Sequence, residues 1–248
     1  MKIEVLTLFP EMVEQVGRYG IVRRAVESGL LALTTRDIRD YSGNKWRRVD
    51  ERPYGGGPGM VMNAEPLAQA IAAARAAVGG KAIGCKVVAL TPQGERMTQQ
   101  WVQRLSEEAA LVLLCGRYEG LDERASALVD VELSVGDFVL SGGELAAMAV
   151  VDAVTRLLPG ALGDEQSAEH DSFSAGTLDH PHYTRPEQWR GQAVPDVLLS
   201  GDHAAVRRWR LKQALGATWL KRPDLLDGLK LDAEQDKLLR EFIAEQKP

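Results

Sequence analysis

The stretch VGDFVLSGG, from Val135 to Gly143, carries three glycines shortly after the apolar run from Val129 to Leu133. A second glycine turn, GRYEG from Gly116 to Gly120, follows the apolar run from Leu111 to Cys115. Short apolar runs that end in glycine turns are typical of buried strands. Because glycine has no Cβ, the main chain at such turns can approach a ligand closely. The two loops together predict a ligand site lined by backbone at the ends of neighbouring strands.

Outward from these loops, short apolar runs alternate with helical patterns up to about Gly163. The runs with strand character are Ile3 to Phe9, Lys86 to Leu90, Leu111 to Cys115 and Val129 to Leu133. The helical patterns lie at Ala64 to Val78, Gln99 to Glu108 and Gly143 to Leu157. Such alternation indicates α/β layering around a mostly parallel sheet.

The rest of the chain has a different character. Residues 163–177 are polar and small, which is typical of a flexible linker. Beyond them we find no clear strand pattern, whereas Ala233 to Glu245 has the apolar spacing of an amphipathic helix. We therefore predict a first domain over residues 1–162, a flexible linker over 163–177 and a small helical domain over 178–248.

Composition limits the class of protein. The chain has 248 residues, of which 45% are apolar, and this is enough for a sizeable core. No apolar run approaches the ~20 residues of a membrane-spanning helix, and the N-terminal apolar stretch is too short for a secretory signal. We expect a cytoplasmic protein with no membrane partner. Cys85 and Cys115 lie in apolar runs without companions at metal-ligand spacing, so we expect both to be reduced core residues.

Charge is unevenly distributed along the chain. The net charge of −5 argues against a protein that coats nucleic acid indiscriminately, because that needs a large positive field. Between His203 and Arg222, however, there are six basic residues, no acidic residue and two tryptophans, Trp209 and Trp219. The run fits either a solvated helix face or a surface that contacts nucleic acid, and charge alone leaves both interpretations open.

The common nucleotide and hydrolase motifs are missing, since the chain contains no GxxxxGK[ST], no GxGxxG after the first strand, no GxSxG and no HExxH. The glycine-rich loop from Tyr54 to Gly59 lacks the lysine and hydroxyl that phosphate and magnesium require. It is either a tight surface turn or a loop packed against a ligand or a partner chain. His180 and His182 flank a proline that favours a structural turn, and we expect no metal site at this pair.

Seven motifs carry a family resemblance. In chain order they are FPEM (Phe9 to Met12), YGGGPGMVM (Tyr54 to Met62), LTPQG (Leu90 to Gly94), CGRYEGLDER (Cys115 to Arg124), VGDFVLSGGE (Val135 to Glu144), DSFSAGTLDHPHYTRP (Asp171 to Pro186) and RRWRLKQALGATWLKRP (Arg207 to Pro223). Together they resemble the bacterial tRNA (guanine-N1)-methyltransferases. The resemblance covers nearly the whole chain, and several motifs are too long to agree by chance.

The resemblance implies a SPOUT-class fold: an α/β domain with a trefoil knot, a mostly parallel sheet with helices on both faces, and a small helical C-terminal domain. Knots are rare among folds, so residue spacing cannot reveal one. The resemblance also implies an obligate homodimer with each site at the subunit interface. S-adenosylmethionine would sit bent in a cleft made by three loops of the knot. The implied cofactor-binding residues are Leu90, Thr91, Pro92, Gln93, Gly116, Tyr118, Glu119, Val135, Gly136, Asp137, Phe138, Val139, Leu140, Gly142 and Gly143.

Four positions depart from the family pattern. Phe138 replaces a common tyrosine, and Ala146 stands where a proline often follows Gly-Gly-Glu-Leu. Both keep an apolar surface, so we expect a change in affinity rather than a loss of activity. Ala89 replaces an aromatic residue, which removes one wall of the expected cleft. Trp46 stands where a histidine usually precedes the Arg-x-Val-Asp run, and we have no account of its effect.

The implied chemistry needs a base and a fixed cation. Guanine N1 carries a proton at neutral pH, so it is a poor nucleophile unless a base removes that proton during methyl transfer. The family assigns this work to the aspartate of the DSF motif, Asp171 here, which comes from the linker of the partner subunit. Arg156 matches the arginine that stabilises the charge developing on guanine O6. From the residues alone, a turn cap for Asp171 and a helix-end surface position for Arg156 stay open.

The resemblance gives only weak support for a bound metal. Glu119 resembles a carboxylate that faces the cationic end of the cofactor and is linked with an Mg²⁺ requirement in the family. One carboxylate does not define a magnesium site, because Mg²⁺ takes an octahedron of oxygen ligands. We therefore predict no metal-ligating residues.

The implied partner is tRNA. The family reads the anticodon arm and methylates the guanosine immediately 3′ of the anticodon, guanosine 37, when another guanine precedes it. The helical domain grips the arm, and we expect Arg207, Arg208 and Lys212 to contact the RNA backbone. Two alternatives stay open: a SPOUT-fold RNA-binding protein without catalysis, and a SPOUT methyltransferase with another RNA target.

Overall fold

The computed structural model describes residues 1–79, 84–163 and 171–246. The chain divides into two compact units, Met1–Glu165 and Gln166–Pro248. The expected linker over 163–177 spans this boundary, and its residues 164–170 lie outside the described residues. The three-part division expected from the sequence stays a prediction.

The first unit is built on a five-stranded sheet in which all neighbouring strands are parallel. Its strands are β1 (Lys2–Thr7), β2 (Ala32–Asp37), β5 (Cys85–Arg96), β6 (Ala110–Cys115) and β7 (Val131–Ser134). They lie in the order β2-β1-β6-β5-β7. A separate antiparallel pair joins β3 (Asp50–Glu51) and β4 (Val61–Met62). The predicted mostly parallel α/β sheet is confirmed.

Helices cover both faces of this sheet, as predicted. They are α1 (Pro10–Glu14), α2 (Gly20–Glu27), α3 (Ala64–Val78), α4 (Gln99–Ser106), α5 (Glu123–Ser126) and α6 (Glu144–Arg156). One core holds side chains of α2, α4 and α6, and the other holds those of α3. Successive side chains of a strand point to opposite faces, so Leu113 lies in the first core and Leu114 in the second. Cys115 and Cys85 are buried free thiols in these cores, as predicted.

Local sequence accounts directly for α3. Its residues are rich in alanine, and Pro66 lies in the first turn, where a missing N–H costs nothing. The helix ends at Gly79, whose φ of 112° is the left-handed conformation that glycine adopts most easily. The predicted range Ala64–Val78 is therefore confirmed at both ends. Strand β2 was not predicted, because its sequence ALTTRD is polar and lies at the edge of the sheet.

Strand β5 does not end at Leu90, where the sequence suggested a turn. It continues to Arg96 with a register shift, so that Leu90 and Glu95 both pair with Leu133 of β7. Residues 91–94, TPQG, are therefore an insertion that bulges from the strand. A Cβ at Gly94 would lie 2.5 Å from the carbonyl carbon of Glu132, so only glycine lets the chain return to β7 here.

The second unit contains a strand pair that was not predicted. Strands β8 (Gln188–Trp189) and β9 (Gln192–Ala193) pair antiparallel. Arg190 and Gly191 join them with φ values of 50° and 80°, which is the twist that a two-residue hairpin turn requires. The expectation of no strand beyond residue 177 was wrong, because strands of two residues are too short to leave an alternating pattern.

The rest of the second unit is helical. Its helices are α7 (Asp196–Leu199), α8 (His203–Lys221), α9 (Asp224–Asp227) and α10 (Ala233–Glu245). Helix α10 begins with a capping box formed by Asp232 and Gln235, and it matches the predicted range. A Cβ at Gly216 of α8 would collide with the ring of Phe242, so this glycine lets α8 and α10 pack closely. No helix in the described ranges is long and apolar enough to cross a membrane.

Candidate active site

The bulge within β5 and the loops that follow β6 and β7 line one cavity of about 300 Å³. Parallel strands end at the same edge of a sheet, and ligands of such sheets bind outside that edge. The cavity brings together most of the expected cofactor-binding residues, namely Leu90, Thr91, Pro92, Gln93, Gly116, Tyr118, Glu119, Val135, Phe138, Val139, Leu140, Gly142 and Gly143. Gly136 and Asp137 do not line it.

Main chain holds two of these loops against each other. The amide N–H of Gly143 donates to the carbonyl of Gly116 over 2.9 Å, and Arg117 forms an isolated antiparallel bridge with Gly142. A Cβ at Gly143 would lie 2.8 Å from the Cα of Cys115, and one at Gly142 would collide with the Arg117 side chain. The glycine pair is therefore required for the loops to close, since no other residue leaves this space.

The loop from Gly116 to Gly120 is also held from its other side. The amide of Glu119 donates to the carbonyl of Met60, and the amide of Met62 donates to the carbonyl of Gly120, each over 2.9 Å. Met60 follows the loop from Tyr54 to Gly59, in which Tyr54 is fully exposed. That glycine-rich loop is thus joined to the wall of the cavity, while its interpretation as a surface turn or as a contact with a partner stays open.

A buried ion pair joins the same two loops. An Arg117 guanidinium nitrogen lies 2.8 Å from the Glu144 carboxylate, which is 1% exposed at the start of α6. Thr7 donates to the other carboxylate oxygen over 2.8 Å, and Arg117 donates to the carbonyl of Ser141 over 3.0 Å. The guanidinium also lies 4.4 Å from the ring centroid of Phe9. Breaking such a pair leaves an uncompensated buried charge, so it fixes the shape of the cavity.

Sequence reasoning did not assign a role to Arg117 or Glu144. Both lie inside the glycine motifs, CGRYEG and LSGGE, whose glycines carried the prediction. The sequence does offer one signal for this pair, namely a basic residue in one loop motif and an acidic residue at the end of the next.

Burial and then the charge of Glu144 raise the pKa of the nearby Cys115 thiol well above its usual value.

The apolar part of the cavity wall is largely open. Phe138 is 56% exposed and Val139 is 83% exposed. Ala146 lines the cavity, so the proline it replaces would also have stood there. Ala89, in contrast, is buried in the second core and does not line the cavity. The expected loss of a cleft wall at Ala89 was therefore wrong, because alternate residues of β5 point to opposite faces.

Polar groups of the cavity include Tyr118 and Glu119, which are both exposed. Burial of its ring and then the charge of Asp50 raise the pKa of Tyr118, so its hydroxyl stays a hydrogen-bond donor at neutral pH. Within the described chain, no cluster of three metal-ligating side chains includes Glu119. The magnesium requirement implied by the family resemblance stays a prediction.

The two expected catalytic residues lie in different units. Arg156 is the last residue of α6 and is partly buried. Asp171 begins a compact turn in the second unit, where its carbonyl accepts a hydrogen bond from the Ser174 amide over 3.2 Å. Phe173 closes the turn by donating to the carbonyl of Thr177 over 2.7 Å. The catalytic roles of Arg156 and Asp171 stay predictions.

Asp179, His180 and His182 form a cluster whose ligand atoms lie within 4.8 Å of one another. The Asp179 carboxylate lies 2.7 Å from a ring nitrogen of each histidine. Burial lowers the pKa of His180 and favours its neutral form. Burial alone would raise the pKa of Asp179. Hydrogen bonds from the His182 ring and the His180 amide outweigh burial, so the pKa of Asp179 is lowered. The mutual hydrogen bonds account for the cluster, and the expectation of no metal site here stays a prediction.

The expected tRNA-contacting residues lie on α8 in two different settings. Arg208 is paired with Glu241 at 2.9 Å, and Lys212 is paired with Glu245 at 2.7 Å. Both partners belong to α10. Arg207 is exposed and, among the described residues, makes no ion pair. The sequence could not show this difference, because the neutralising glutamates lie 33 residues further along the chain.

Comparison with known proteins gives a consistent result. The family described as "tRNA (Guanine-1)-methyltransferase TrmD" matches residues 1–228. A "tRNA (guanine-N(1)-)-methyltransferase" of Halorhodospira halophila is 60% identical over 247 residues, covering 99% of this chain and 92% of the relative. Proteins with the same description are 56% identical in Pseudomonas entomophila, over 99% and 98% of the two chains, and 57% identical in Chromohalobacter salexigens, over 99% and 94%. This chain belongs to the tRNA (guanine-1)-methyltransferase family.

Proposed function

We propose that this protein transfers a methyl group from S-adenosylmethionine to N1 of the guanosine immediately 3′ of the anticodon, guanosine 37, in tRNA. One observation carries the proposal: the three glycine-containing motif loops meet around a single cavity at the carboxyl edge of the sheet. Membership of a methyltransferase family supports the reaction class.

The cavity suits a nucleoside cofactor in size and construction. Its volume of about 300 Å³ lies at the lower end of the range for small-molecule sites. Gly142 and Gly143 let two of its loops approach each other where a Cβ could not fit. Val135 and Leu140 would contact the purine faces, and the main chain of the loop from Gly116 to Gly120 would meet polar groups. When bound, S-adenosylmethionine supplies an electrophilic methyl group attached to a positively charged sulfur.

Side chains of the protein carry out the remaining steps. Asp171 accepts the N1 proton as N1 forms its bond to the methyl carbon, and the electron pair of the broken carbon–sulfur bond leaves on sulfur. Arg156 stabilises the negative charge that develops on guanine O6. Glu119 lines the cavity, and we propose that its carboxylate faces the positively charged end of the cofactor. We also propose that Mg²⁺ contributes to the reaction, and activity measured with and without the ion would test this.

The protein is proposed to act as a cytoplasmic homodimer in which Asp171 of one protomer serves the cavity of its partner. Phe138, Val139 and Leu145 support a partner surface beside the cavity, since they are 56%, 83% and 52% exposed. The trefoil knot implied by the family resemblance is part of this proposal as well.

The proposed tRNA contacts are Arg207, Arg208 and Lys212. Arg207 can meet a phosphate directly, whereas Arg208 and Lys212 must first exchange Glu241 and Glu245 for phosphate oxygens. The pair of Arg208 is exposed on both sides, and exposed ion pairs contribute little free energy, so Arg208 can exchange its partner for phosphate at a small cost.

The test is methyl transfer from labelled S-adenosylmethionine to two tRNA transcripts that differ only in having guanine or adenine at position 37. We expect label on the guanine transcript alone, at N1. Equal labelling of both transcripts would show another RNA target. No label on either transcript, with and without Mg²⁺, would favour an RNA-binding protein without catalysis.

A further inference from the structure

The second unit has a cavity of its own, of about 500 Å³. It lies between the loop that follows Asp179 and the first half of α8. Its polar and aromatic lining includes Tyr183, Arg185, Trp209 and Arg210, and its apolar lining includes Val194 and Leu198. All of these residues belong to one compact unit. None of its described lining residues lines the cavity of the first unit.

Aromatic rings form one side of this second cavity. The ring centroids of Tyr183 and Trp209 lie 6.2 Å apart with a tilt of 58°. The His180 ring stands edge-on to Trp209 at 6.4 Å. Tyr183 is 49% exposed, so much of its ring faces solvent. Exposed rings of this kind are platforms on which unstacked nucleobases bind.

The charge of the lining is mainly positive. Arg185 and Arg210 both line the cavity, and neither makes an ion pair with any residue of the described chain. Glu187 is the one carboxylate among the described lining residues. The cations on the opposite side of α8 are different, because Arg208 and Lys212 are neutralised by α10. Two guanidinium groups beside aromatic rings match the charge and shape of a nucleotide phosphate and its base.

The loop that carries Tyr183 and Arg185 is held in place. The Asp179 carboxylate contacts the rings of His180 and His182, and the Asp179 amide donates to the hydroxyl of Ser172 over 3.0 Å. The start of this loop is therefore fixed before any ligand arrives, which lowers the entropic cost of binding.

We propose that this cavity binds one unstacked nucleotide of the tRNA, with its base against Tyr183 and Trp209 and its phosphate between Arg185 and Arg210. This nucleotide is distinct from the guanosine that receives the methyl group. The inference rests on the proposed function in one respect, namely that the RNA is tRNA. It adds a contact on the side of α8 that carries Arg210 to the contacts proposed for Arg207, Arg208 and Lys212.

The test is binding of full-length tRNA to the full-length protein, measured by fluorescence anisotropy over a series of salt concentrations. Tyr183→Ala should weaken binding about tenfold through the loss of stacking, and Tyr183→Phe should restore it. Arg210→Ala should also weaken binding about tenfold and lower the salt slope by about one phosphate contact. Arg240→Ala is the matched control, since Arg240 is exposed on α10 and paired with Asp236. It should bind as the wild type does.

Two results would overturn the inference. The first is wild-type affinity and salt slope in both Tyr183→Ala and Arg210→Ala, with both variants shown to be folded by their thermal unfolding. The second is an absence of tRNA binding by the wild type. Methyl transfer by the wild type is measured separately on the same tRNA. A wild type that binds but does not methylate would contradict the proposed function, while the comparison of variants would still decide the role of the cavity.

Discussion

The two cavities of this protein are built in opposite ways. In the first unit, glycine loops press main chain against main chain, and a Cβ at Gly143 would lie 2.8 Å from the Cα of Cys115. In the second unit, side chains such as Tyr183 and Arg210 form the lining. A site built from backbone leaves glycines in fixed motifs of the sequence. A site built from side chains depends on which neighbours neutralise or cover each of them, and the sequence does not state this.

The ion pairs of the two units differ in the same way. In the pair of Arg117 and Glu144 the side chains are 18% and 1% exposed, whereas in the pair of Arg208 and Glu241 they are 43% and 38% exposed. A buried pair cannot be broken without leaving a charge in a poorly solvated place, but an exposed pair is worth little. The first pair therefore fixes the shape of the cavity, and the second only neutralises one cation of α8.

The largest effect is expected from Asp171→Asn. Loss of the base should lower turnover by about 10²–10⁴-fold. The affinity for S-adenosylmethionine should be unchanged, because Asp171 is not among the described residues that line the cavity proposed to bind it. Single-turnover methyl transfer and calorimetry measure the two quantities. Asp227→Asn, at an exposed position of α9, is the control. An unchanged turnover in Asp171→Asn would remove this residue from the mechanism.

Glu144→Ala should have the next largest effect. It leaves the Arg117 guanidinium buried without its carboxylate, which should lower the free energy of unfolding by about 3 kcal/mol. Affinity for S-adenosylmethionine should fall with it, because the loops lose the ion pair that supports their main-chain contacts. Glu27→Ala breaks an exposed pair with Arg23 at 2.9 Å and should cost less than about 1 kcal/mol. Equal losses in denaturant unfolding for the two variants would contradict the contrast between buried and exposed pairs.

A smaller effect is expected from the cations of α8. Arg207→Ala should weaken tRNA binding about threefold and reduce the salt slope, because an unpaired guanidinium meets phosphate without first losing a partner. Arg208→Ala should do less, since Glu241 already neutralises that side chain. Anisotropy titrations at several salt concentrations provide the comparison. A larger effect at Arg208 than at Arg207 would show that the pairs with α10 do not persist in solution.

The smallest effect concerns pH. Burial lowers the pKa of His180 below its usual value of 6.5, so the unfolded chain binds a proton more readily than the folded one. The free energy of unfolding of the second unit should therefore be at its full value above about pH 6.5 and should fall as the pH drops below that value. Thermal unfolding between neutral and mildly acidic pH measures this. His180→Gln should flatten the dependence, while the exposed His203→Gln should not change it.

Much of the first unit could be predicted from the sequence, for identifiable reasons. The range of α3 follows from its alanine content and its terminal Gly79. The meeting of the loops after Leu90, Cys115 and Ser134 follows from the parallel strands, which end at one edge. The bulge of residues 91–94 could not be predicted, because it depends on a register shift against Leu133 of another strand.

The rest of the site depends on contacts between residues far apart in the sequence. Glu144 is joined to Thr7 across 137 positions, and the glutamates of α10 that pair with α8 lie 33 positions from their partners. Neither local propensity nor hydrophobic spacing contains such information. The hairpin of β8 and β9 was missed for a different reason, since each strand has only two residues.

The most direct test of a backbone-built cofactor site is calorimetric titration of S-adenosylmethionine into three proteins: the wild type, Gly143→Ala and Gly43→Ala. A methyl group at Gly43 would meet no atom of the described chain within 4 Å, so this substitution is the matched control. We expect the wild type and Gly43→Ala to bind alike, and Gly143→Ala to lose binding, because its methyl group would meet the backbone of Cys115. A folded Gly143→Ala variant with wild-type affinity would contradict the account.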